Sequence, residues 1–248
     1  MVTLKSVREI QLMREAGRVV ARVLEALQAK AAPGITTAEL DEEAERLIRK
    51  LGAIPSFKGY HGYPATICAS INEQVVHGIP NGRRLNEGDI LSVDVGVILK
   101  GYHGDAAVTL PIGAVSPEAR RLLEVTEGAL WAGIAKARAG LRTGDISAAI
   151  QEWVESRGMS VVREYTGHGI GRQMHEDPQI PNFGRAGTGH VLRGGMTFAL
   201  EPMVNLGTWK TKVLSDGWTV VTEDGRLSAH FEHTIAVTDG EPLVLTVL

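Results

Sequence analysis

The stretch LNEGDILSVD (residues 85–94) is similar to a second stretch of the same chain, LRGGMTFALE (residues 192–201). In both, a polar turn with glycine leads into an apolar run that closes on a carboxylate. The offset between the two stretches is 107 residues, and PGITTAELDEEAERLIRKLG (residues 33–52) repeats as AGLRTGDISAAIQEWVESRG (residues 139–158) at an offset of 106. Nearly equal offsets favour an internal duplication. Chance similarity between capped amphipathic helices remains the alternative for the second pair.

Capping residues and apolar spacing predict a pair of helices in each copy of the repeat. The predicted helices start at Ser6, Thr36, Ser116 and about Gly144, and the second and fourth end at Gly52 and Gly158. Strand chemistry follows in residues 90–111 and in the last third, where a hairpin is expected to turn at Asp224-Gly225. The pattern predicts an α+β fold with duplicated helix–helix–strand halves, about 1–112 and 113–248, related by a pseudo-twofold axis.

Composition narrows the class of protein but not its chemistry. Of the 248 residues, 44% are hydrophobic and 22% charged, and the formal net charge is −3, so no feature marks a nucleic-acid or membrane binder. The single cysteine, Cys68, cannot form an internal disulfide, which fits a reducing compartment. The N-terminal pattern is that of an amphipathic helix and not of a signal peptide. We therefore expect a single cytoplasmic domain over residues 1–248.

Carboxylates at the ends of apolar runs predict a metal site. Asp94 and Glu201 occupy equivalent places in the repeat, whereas a single such residue would be better explained by an ion pair. A hairpin centred near Leu99-Lys100 would place Asp105 opposite Asp94 or close to it, and facing carboxylates ~5 Å apart need a cation or a proton. The segment SAHFEHTIAV adds Glu232 in the second half.

His168 lies in TGHGIG and completes the predicted ligand set. The glycines resemble part of a dinucleotide-binding loop, but the full fingerprint and its strand–helix context are missing. Imidazole combined with carboxylates suits a first-row divalent ion. Five ligands, some able to bridge, match a two-metal hydrolase site with ions ~3.5–4 Å apart.

Two further histidines, His77 in VVHGIP and His175 in MHEDP, have similar glycine- or proline-rich surroundings. From the residues alone, a structural role and a functional role stay open for both. The remaining histidines carry less signal. His233 follows Glu232 directly, so in a strand it would point to the opposite face.

Several motifs together resemble the type I methionine aminopeptidases over essentially the whole chain. They are GYHGYPATICASINEQVVHGIP (59–80), VDVGVILKGYHGDAAVT (93–109), GHGIGRQMHEDP (167–178), FALEPM (198–203) and FEHT (231–234). The resemblance implies the duplicated pita-bread fold, with a curved antiparallel sheet. It also implies a cofactor of two divalent metal ions (cobalt, manganese, iron or zinc).

The same resemblance implies a role for each ligand. Asp94 would chelate the first ion, Asp105 and Glu232 would bridge both, and His168 and Glu201 would complete the second site. Glu201 would also help to activate the water.

The resemblance extends to the residues around the substrate. His77 would contact the scissile amide nitrogen and His175 would stabilise the developing oxyanion, so the catalytic residues would be His77, His175 and Glu201. The matching positions of the methionine pocket are Phe57, Tyr60, Tyr63, Cys68, Met174 and Trp218. Many bacterial relatives have cysteine at the position of Phe57 and phenylalanine at that of Met174, and ordinary core packing is the alternative for all six.

The resemblance implies removal of the initiator methionine from nascent polypeptide N-termini when the second residue is small. It further implies a monomer that associates transiently with the ribosome. The alternatives are a proline-specific pita-bread peptidase, which usually carries an extra N-terminal domain, a catalytically dead binding module, which would lose ligands, and a structural calcium-binding protein. His168 and the lack of an EF-hand pattern disfavour the last.

Overall fold

Four α-helices form where the sequence predicts them, and three of them begin at a predicted capping residue. The computed structural model describes residues 2–248. The helices are α1 (Val7–Lys30), α2 (Thr37–Lys50), α3 (Pro117–Ile134) and α4 (Thr143–Glu155). Ser6, Thr36 and Ser116 each accept a hydrogen bond from a backbone N–H in the first helical turn. These bonds satisfy orphan donors of the helix, so the local sequence fixes where each helix begins.

The other regular elements of the described fold are a short 3-10 helix (Tyr60–Gly62) and fifteen strands, and all the strand pairings are antiparallel. The strands are β1 (Ile54–Pro55), β2 (Cys68–Ile71), β3 (Gln74–Val76), β4 (Ile90–Leu99), β5 (Tyr102–Pro111), β6 (Ser160–Val161), β7 (Thr166–Gly169), β8 (Glu176–Pro181), β9 (Thr197–Leu200), β10 (Met203–Asn205), β11 (Thr211–Val213), β12 (Val220–Thr222), β13 (Ser228–His230), β14 (His233–Ala236) and β15 (Leu243–Val244). Hydrogen bonding divides them into four parts: β1, β2 and β5 around β4; β13-β10-β6; β11-β12-β3; and β15-β14-β9-β7-β8.

The duplication predicted from the sequence is confirmed by equivalent backbone hydrogen bonds in the two halves. Gly34 N–H donates to Leu85 O at 2.7 Å, and Gly140 N–H donates to Leu192 O at 3.0 Å. The isolated bridge between Thr36 and residue 84 has its counterpart between Arg142 and residue 191. Each helix pair is thus tied in the same way to the segment that leads into its carboxylate-bearing strand.

Each half has its own hydrophobic core. One core packs α1 and α2 against β4 and β5, with Leu27, Leu40 and Val95 fully buried. The other packs α3 and α4 against the strands of the second half, with Leu122, Ile150 and Phe198 at its centre. The two halves meet where β5 of the first contacts β14 of the second, and the predicted ligands Asp105 and Glu232 lie on or directly before these strands.

The hairpin of β4 and β5 turns one residue later than predicted. Its turn is Lys100-Gly101, and both residues have positive φ (52° and 80°), as a two-residue type I′ turn requires. Asp94 therefore pairs with Ala107, and Asp105 pairs with Gly96. The two carboxylates are diagonal neighbours on one face of the sheet, and not directly opposite each other.

The second predicted hairpin does not form. Gly225 does adopt a positive φ (74°) in a turn, but β12 pairs with β11 and β3, whereas β13 pairs with β10. The segment that was expected to run as one strand is also interrupted at Phe231 and Glu232. There the backbone of Glu232 exchanges hydrogen bonds with Ala107 of the first half (N–H to O, 2.9 Å; O from N–H, 3.3 Å). Pairing across the halves replaces pairing within the hairpin.

Among residues 2–248, no helix is both long and apolar enough to cross a membrane.

Candidate active site

One cavity of about 430 Å³ collects every site residue that the sequence predicts. Its lining consists of Phe57, Tyr60, His61, Tyr63, Cys68, His77, Asp94, Asp105, His168, Met174, His175, Glu201, Trp218 and Glu232. Of these lining residues, only His61 is not among the site residues predicted from the sequence. Residues more than a hundred positions apart in the chain therefore meet at a single site.

Three of the predicted metal ligands, one from the first half and two from the second, form a tight cluster. Asp105 on β5, His168 on β7 and Glu232 before β14 present ligand atoms that all lie within 4.8 Å of one another, and all three residues are buried. Glu201 follows the last residue of β9, and its Oε1 lies 3.6 Å from His168 Nε2. Asp94 is on β4, diagonal to Asp105. The last two side chains are partly exposed to the cavity.

The carboxyl groups of this cluster lack the partners that buried charges need. Asp94 Oδ1, Asp105 Oδ1 and Glu232 Oε1 are buried without a hydrogen-bond partner among the described residues. Burial raises the pKa of Asp94 to about 7. Burial, followed by repulsion from the nearby carboxyl groups, raises the pKa values of Asp105, Glu201 and Glu232 well above their usual range. Such a set is costly unless cations neutralise it, so these residues fit a metal site.

The surroundings of His168 determine the tautomer and the charge of its imidazole. Its Nδ1 lies 2.8 Å from the carbonyl oxygen of Gly169, which can only accept, so Nδ1 carries the hydrogen and Nε2 keeps its lone pair. Burial lowers the pKa of His168 to about 3, so the imidazole is neutral. A neutral imidazole oriented by its second nitrogen is the usual form of a histidine metal ligand. Together with the carboxylates it forms a donor set suited to first-row divalent ions.

The two other predicted histidines lie around this cluster. Burial lowers the pKa of His77 to about 4, and its ring packs edge-on against Tyr165 and Trp218, with centroids 5.7 and 6.5 Å away. The ring centroid of His175 is 4.2 Å from that of His168, and burial also lowers the pKa of His175. Both rings are neutral groups that line the cavity beside the carboxylates.

A separate apolar cluster forms the remaining wall. Phe57, Tyr63, Ala65, Cys68 and Met174 are buried together, and Tyr60, Ile79 and Trp218 pack against them. This cluster contains all six residues predicted for the methionine pocket.

Two contacts fix rings in that wall. The Tyr63 hydroxyl lies 3.0 Å from the carbonyl oxygens of both Ile67 and Gly78, so that its ring orientation is set from behind. Phe57 lies directly over Gly96, where a Cβ atom would come within 2.5 Å of Phe57 Cε1. The strand that carries Asp94 thus needs glycine at this position to admit the Phe57 ring.

Two histidines are closer to the site than the sequence reasoning indicated. His61 lines the cavity, and its position directly after the predicted pocket residue Tyr60 could have indicated this. His230 is buried with Nε2 3.9 Å from Glu232 Oε2, and its place two residues before Glu232 was the signal in the sequence. His233 instead lies 2.8 Å from Thr246 Oγ1 through its Nδ1 and contacts the Trp131 ring.

Comparison with known proteins defines the class of protein. The model of metallopeptidase family M24 matches residues 11–239, which is most of the chain. The chain therefore belongs to metallopeptidase family M24 and is a metal-dependent hydrolase.

Within that family, the chain is similar to several methionine aminopeptidases. The chain is 55% identical to a methionine aminopeptidase of Clostridium acetobutylicum over 248 residues, and the alignment covers 100% of this chain and 99% of that protein. It is 55% identical over 239 residues to methionine aminopeptidase 1 of Bacillus subtilis, with 96% of each covered. The crystal structure of methionine aminopeptidase from Thermotoga maritima matches with a TM-score of 0.99 at 47% identity, over 100% of both chains. By sequence and by pita-bread fold, the chain groups with the methionine aminopeptidases.

Proposed function

We propose that this chain removes the N-terminal methionine from nascent proteins in the cytoplasm, when the second residue is small, by attack of an activated water on the first peptide bond. The observation that carries the proposal is a single cavity in which two kinds of surface adjoin. One is an acidic cluster that contains histidine, and the other is an apolar pocket of aromatic, thiol and thioether side chains. Aromatic rings and polarisable sulfur favour contact with a methionine side chain.

The proposed metal ligands are Asp94, Asp105, His168, Glu201 and Glu232. Two divalent ions held there would supply Lewis acidity and lower the pKa of a bound water. Glu201 reaches the cavity from the end of β9, so it would accept the proton of the attacking water. Asp105 and Glu232 are the most buried carboxylates of the cluster, at 5% and 2% exposure, which supports a bridging role at its centre.

The proposed roles of the remaining residues follow from their places around the cluster. His77 would contact the scissile amide nitrogen. His175 would donate a hydrogen bond to the oxygen on which negative charge develops, and such a donor is worth ~3–4 kcal/mol in the barrier. Phe57, Tyr60, Tyr63, Cys68, Met174 and Trp218 would enclose the methionine side chain. We propose that residues 1–248 act as one catalytic domain, as a monomer with transient ribosome contact.

The test is hydrolysis of Met-Ala-Ser and Ala-Pro-Ala by metal-stripped protein, before and after manganese or cobalt is restored. We expect metal-dependent release of methionine from the first peptide alone. Cleavage of only the second peptide would assign the chain to a proline-specific activity, and cleavage of neither by metal-loaded protein would refute a peptidase role. A series of Met-X-Ser peptides with X increasing from glycine to leucine then tests the limit on the second residue.

The number of ions needs its own measurement. Titration calorimetry with manganese should give two ions bound per chain. A value of one would contradict the dinuclear site while leaving the peptidase proposal open to the assay above.

A further inference from the structure

The hydroxyl of Tyr60 forms a hydrogen bond with the ring of His175. The distance from Tyr60 Oη to His175 Nδ1 is 2.9 Å, and the two rings lie 5.5 Å apart at an interplanar angle of 28°. Tyr60 packs against the apolar cluster through its ring. Its hydroxyl connects it to the histidine that is proposed to meet the substrate carbonyl.

Tyr60 lies in a turn that is closed by backbone hydrogen bonds. Tyr60 N–H donates to Phe57 O at 2.9 Å, and Tyr63 N–H donates to Tyr60 O at 2.9 Å. Gly59 has a positive φ of 86°, which closes this turn tightly, and its N–H donates to Tyr63 O at 2.8 Å. These bonds close a compact loop on itself, and Tyr60 lines the cavity from this loop.

We propose that Tyr60 is a positioning residue that holds His175 in the tautomer with hydrogen on Nε2. Its hydroxyl does so by donating a hydrogen bond to His175 Nδ1. A neutral imidazole has one N–H donor and one acceptor nitrogen. When Nδ1 accepts from Tyr60, the hydrogen must be on Nε2, and His175 then offers a donor to a ligand in the cavity. This inference deepens the proposed function and rests on it, since an oxyanion stabiliser must donate.

Hydrogen-bond accounting favours this tautomer over the other one. A phenol O–H is a better donor than an imidazole N–H, and an imidazole nitrogen is a better acceptor than a phenol oxygen. In the opposite tautomer, Nδ1–H would donate to the Tyr60 oxygen, and the Tyr60 hydroxyl, which has no other hydrogen-bond partner among the described residues, would donate to water. The Nε2 lone pair would then face a cavity lined by four acidic side chains. The ring would be an acceptor where the reaction needs a donor.

The direct test is the tautomer of His175, read from nitrogen-15 ring shifts of the zinc-loaded protein, with the signal assigned by its loss in His175→Gln. We expect hydrogen on Nε2 in the wild-type chain and a mixture of tautomers in Tyr60→Phe. Tyr102→Phe is the matched control, because Tyr102 also donates its hydroxyl to one side chain, Glu9 Oε1 at 2.7 Å, but does not line the cavity. A wild-type signal with hydrogen on Nδ1, or the same tautomer ratio in Tyr60→Phe, would overturn the proposal.

Kinetics separate positioning from pocket packing. Tyr60→Phe keeps the aromatic wall, so we expect KM for Met-Ala-Ser to stay within about twofold while kcat falls about three- to tenfold, as for the loss of one hydrogen bond. A higher KM with unchanged kcat would make Tyr60 a pocket wall only and would refute its positioning role. If the wild-type chain releases no methionine, the proposed function fails, whereas the ring spectra still decide the tautomer.

Discussion

At the scale of single residues, Glu201 is more exposed to the cavity than the buried carboxylates Asp105 and Glu232. About 15% of its side chain is exposed, compared with about 3% for Glu232, and it stands where β9 ends. Its Oε1 is 3.6 Å from His168 Nε2, which carries the lone pair. A carboxylate that touches the cluster and also faces the open cavity is placed to exchange a proton with a water there.

Glu201→Gln therefore tests the base without removing the side chain's shape. We expect kcat for Met-Ala-Ser to fall ~100-fold or more, since an amide cannot accept the proton that a positioned general base takes. The far-ultraviolet circular dichroism spectrum should match that of the wild type, because the amide has the same volume. Turnover above half of the wild-type value would rule out the proposed role.

Residue chemistry predicted the five acidic and histidine side chains that meet in the cavity, whereas His77, His175 and the six pocket residues were predicted only from the family resemblance. A carboxylate at the end of an apolar run indicates a metal site or an ion pair, because a buried charge needs a partner. Asp94 and Glu201 were predicted as ligands for this reason. Asp94 lies diagonal to Asp105 because the hairpin turns at Lys100-Gly101. A shift of the turn by one residue changes which residues of the two strands face each other. The contact of Tyr60 with His175 joins two distant loops, so no local pattern in the sequence predicts it.

At the scale of secondary structure elements, the start of α1 is stabilised by an acidic residue that serves two partners. Glu9 Oε2 accepts from Ser6 N–H and from Ser6 Oγ, each at 2.9 Å, and Glu9 Oε1 accepts from the Tyr102 hydroxyl on β5. The Ser6 backbone bond, followed by the Tyr102 hydroxyl, lowers the pKa of Glu9 to about 2 from its usual 4.5. The cap thus links the helix end to the sheet, and it does so only while Glu9 is charged.

The lowered pKa predicts the direction of a pH effect. The folded state favours ionised Glu9, so this stabilisation is complete above pH 4.5 and is lost as the pH falls towards 2. Glu9→Gln should lower the thermal midpoint near pH 6, and the difference from the wild type should shrink as the pH falls below 4.5. Glu25→Gln, an exposed change on the same helix, is the control and should show no such trend. A difference that stays constant with pH would contradict this account.

The packing of α1 on β5 depends on two glycines in contact. A Cβ atom on Gly104 would lie 2.8 Å from the backbone nitrogen of Gly17, so the helix could not stay where it is. We expect Gly104→Ala to reduce the free energy of unfolding by ~1–3 kcal/mol in urea titrations, as for other overpacked sites. Gly82→Ala is the matched control, because nothing lies within 4 Å of its Cβ and its φ is not in the left-handed region. Equal stabilities of the two variants would show that the contact is not tight.

Local signals predicted the elements better than they predicted the pairings between them. Ser6, Thr36 and Ser116 mark helix starts because a cap is satisfied within one helical turn. The turn at Asp224-Gly225 was equally clear in the sequence, but its strands pair with different neighbours. Which strand pairs with which depends on residues far along the chain, as the bonds between Glu232 and Ala107 illustrate.

At the scale of the whole molecule, the proposed metal ligands come from both halves of the duplicated fold. Asp94 and Asp105 belong to the first half, and His168, Glu201 and Glu232 belong to the second. Burial, followed by repulsion between carboxyl groups across the junction of the halves, raises the pKa values of Asp105, Glu201 and Glu232. Ion binding at this junction should therefore stabilise the entire fold and not only the site.

Thermal unfolding with and without manganese measures that coupling. An ion that binds only the folded state at a hundred times its dissociation constant adds ~2.7 kcal/mol, which for a chain of this size corresponds to a rise in Tm of roughly 5–10 °C. Asp94→Asn should bind less manganese per chain and show a smaller rise, because it removes a ligand without changing the volume. Asp239→Asn, an exposed change, should keep the full rise. If Asp94→Asn bound as much manganese as the wild type, Asp94 would not be a ligand. A rise in Tm that survived this substitution would mean that the ions join the two halves through the other four residues.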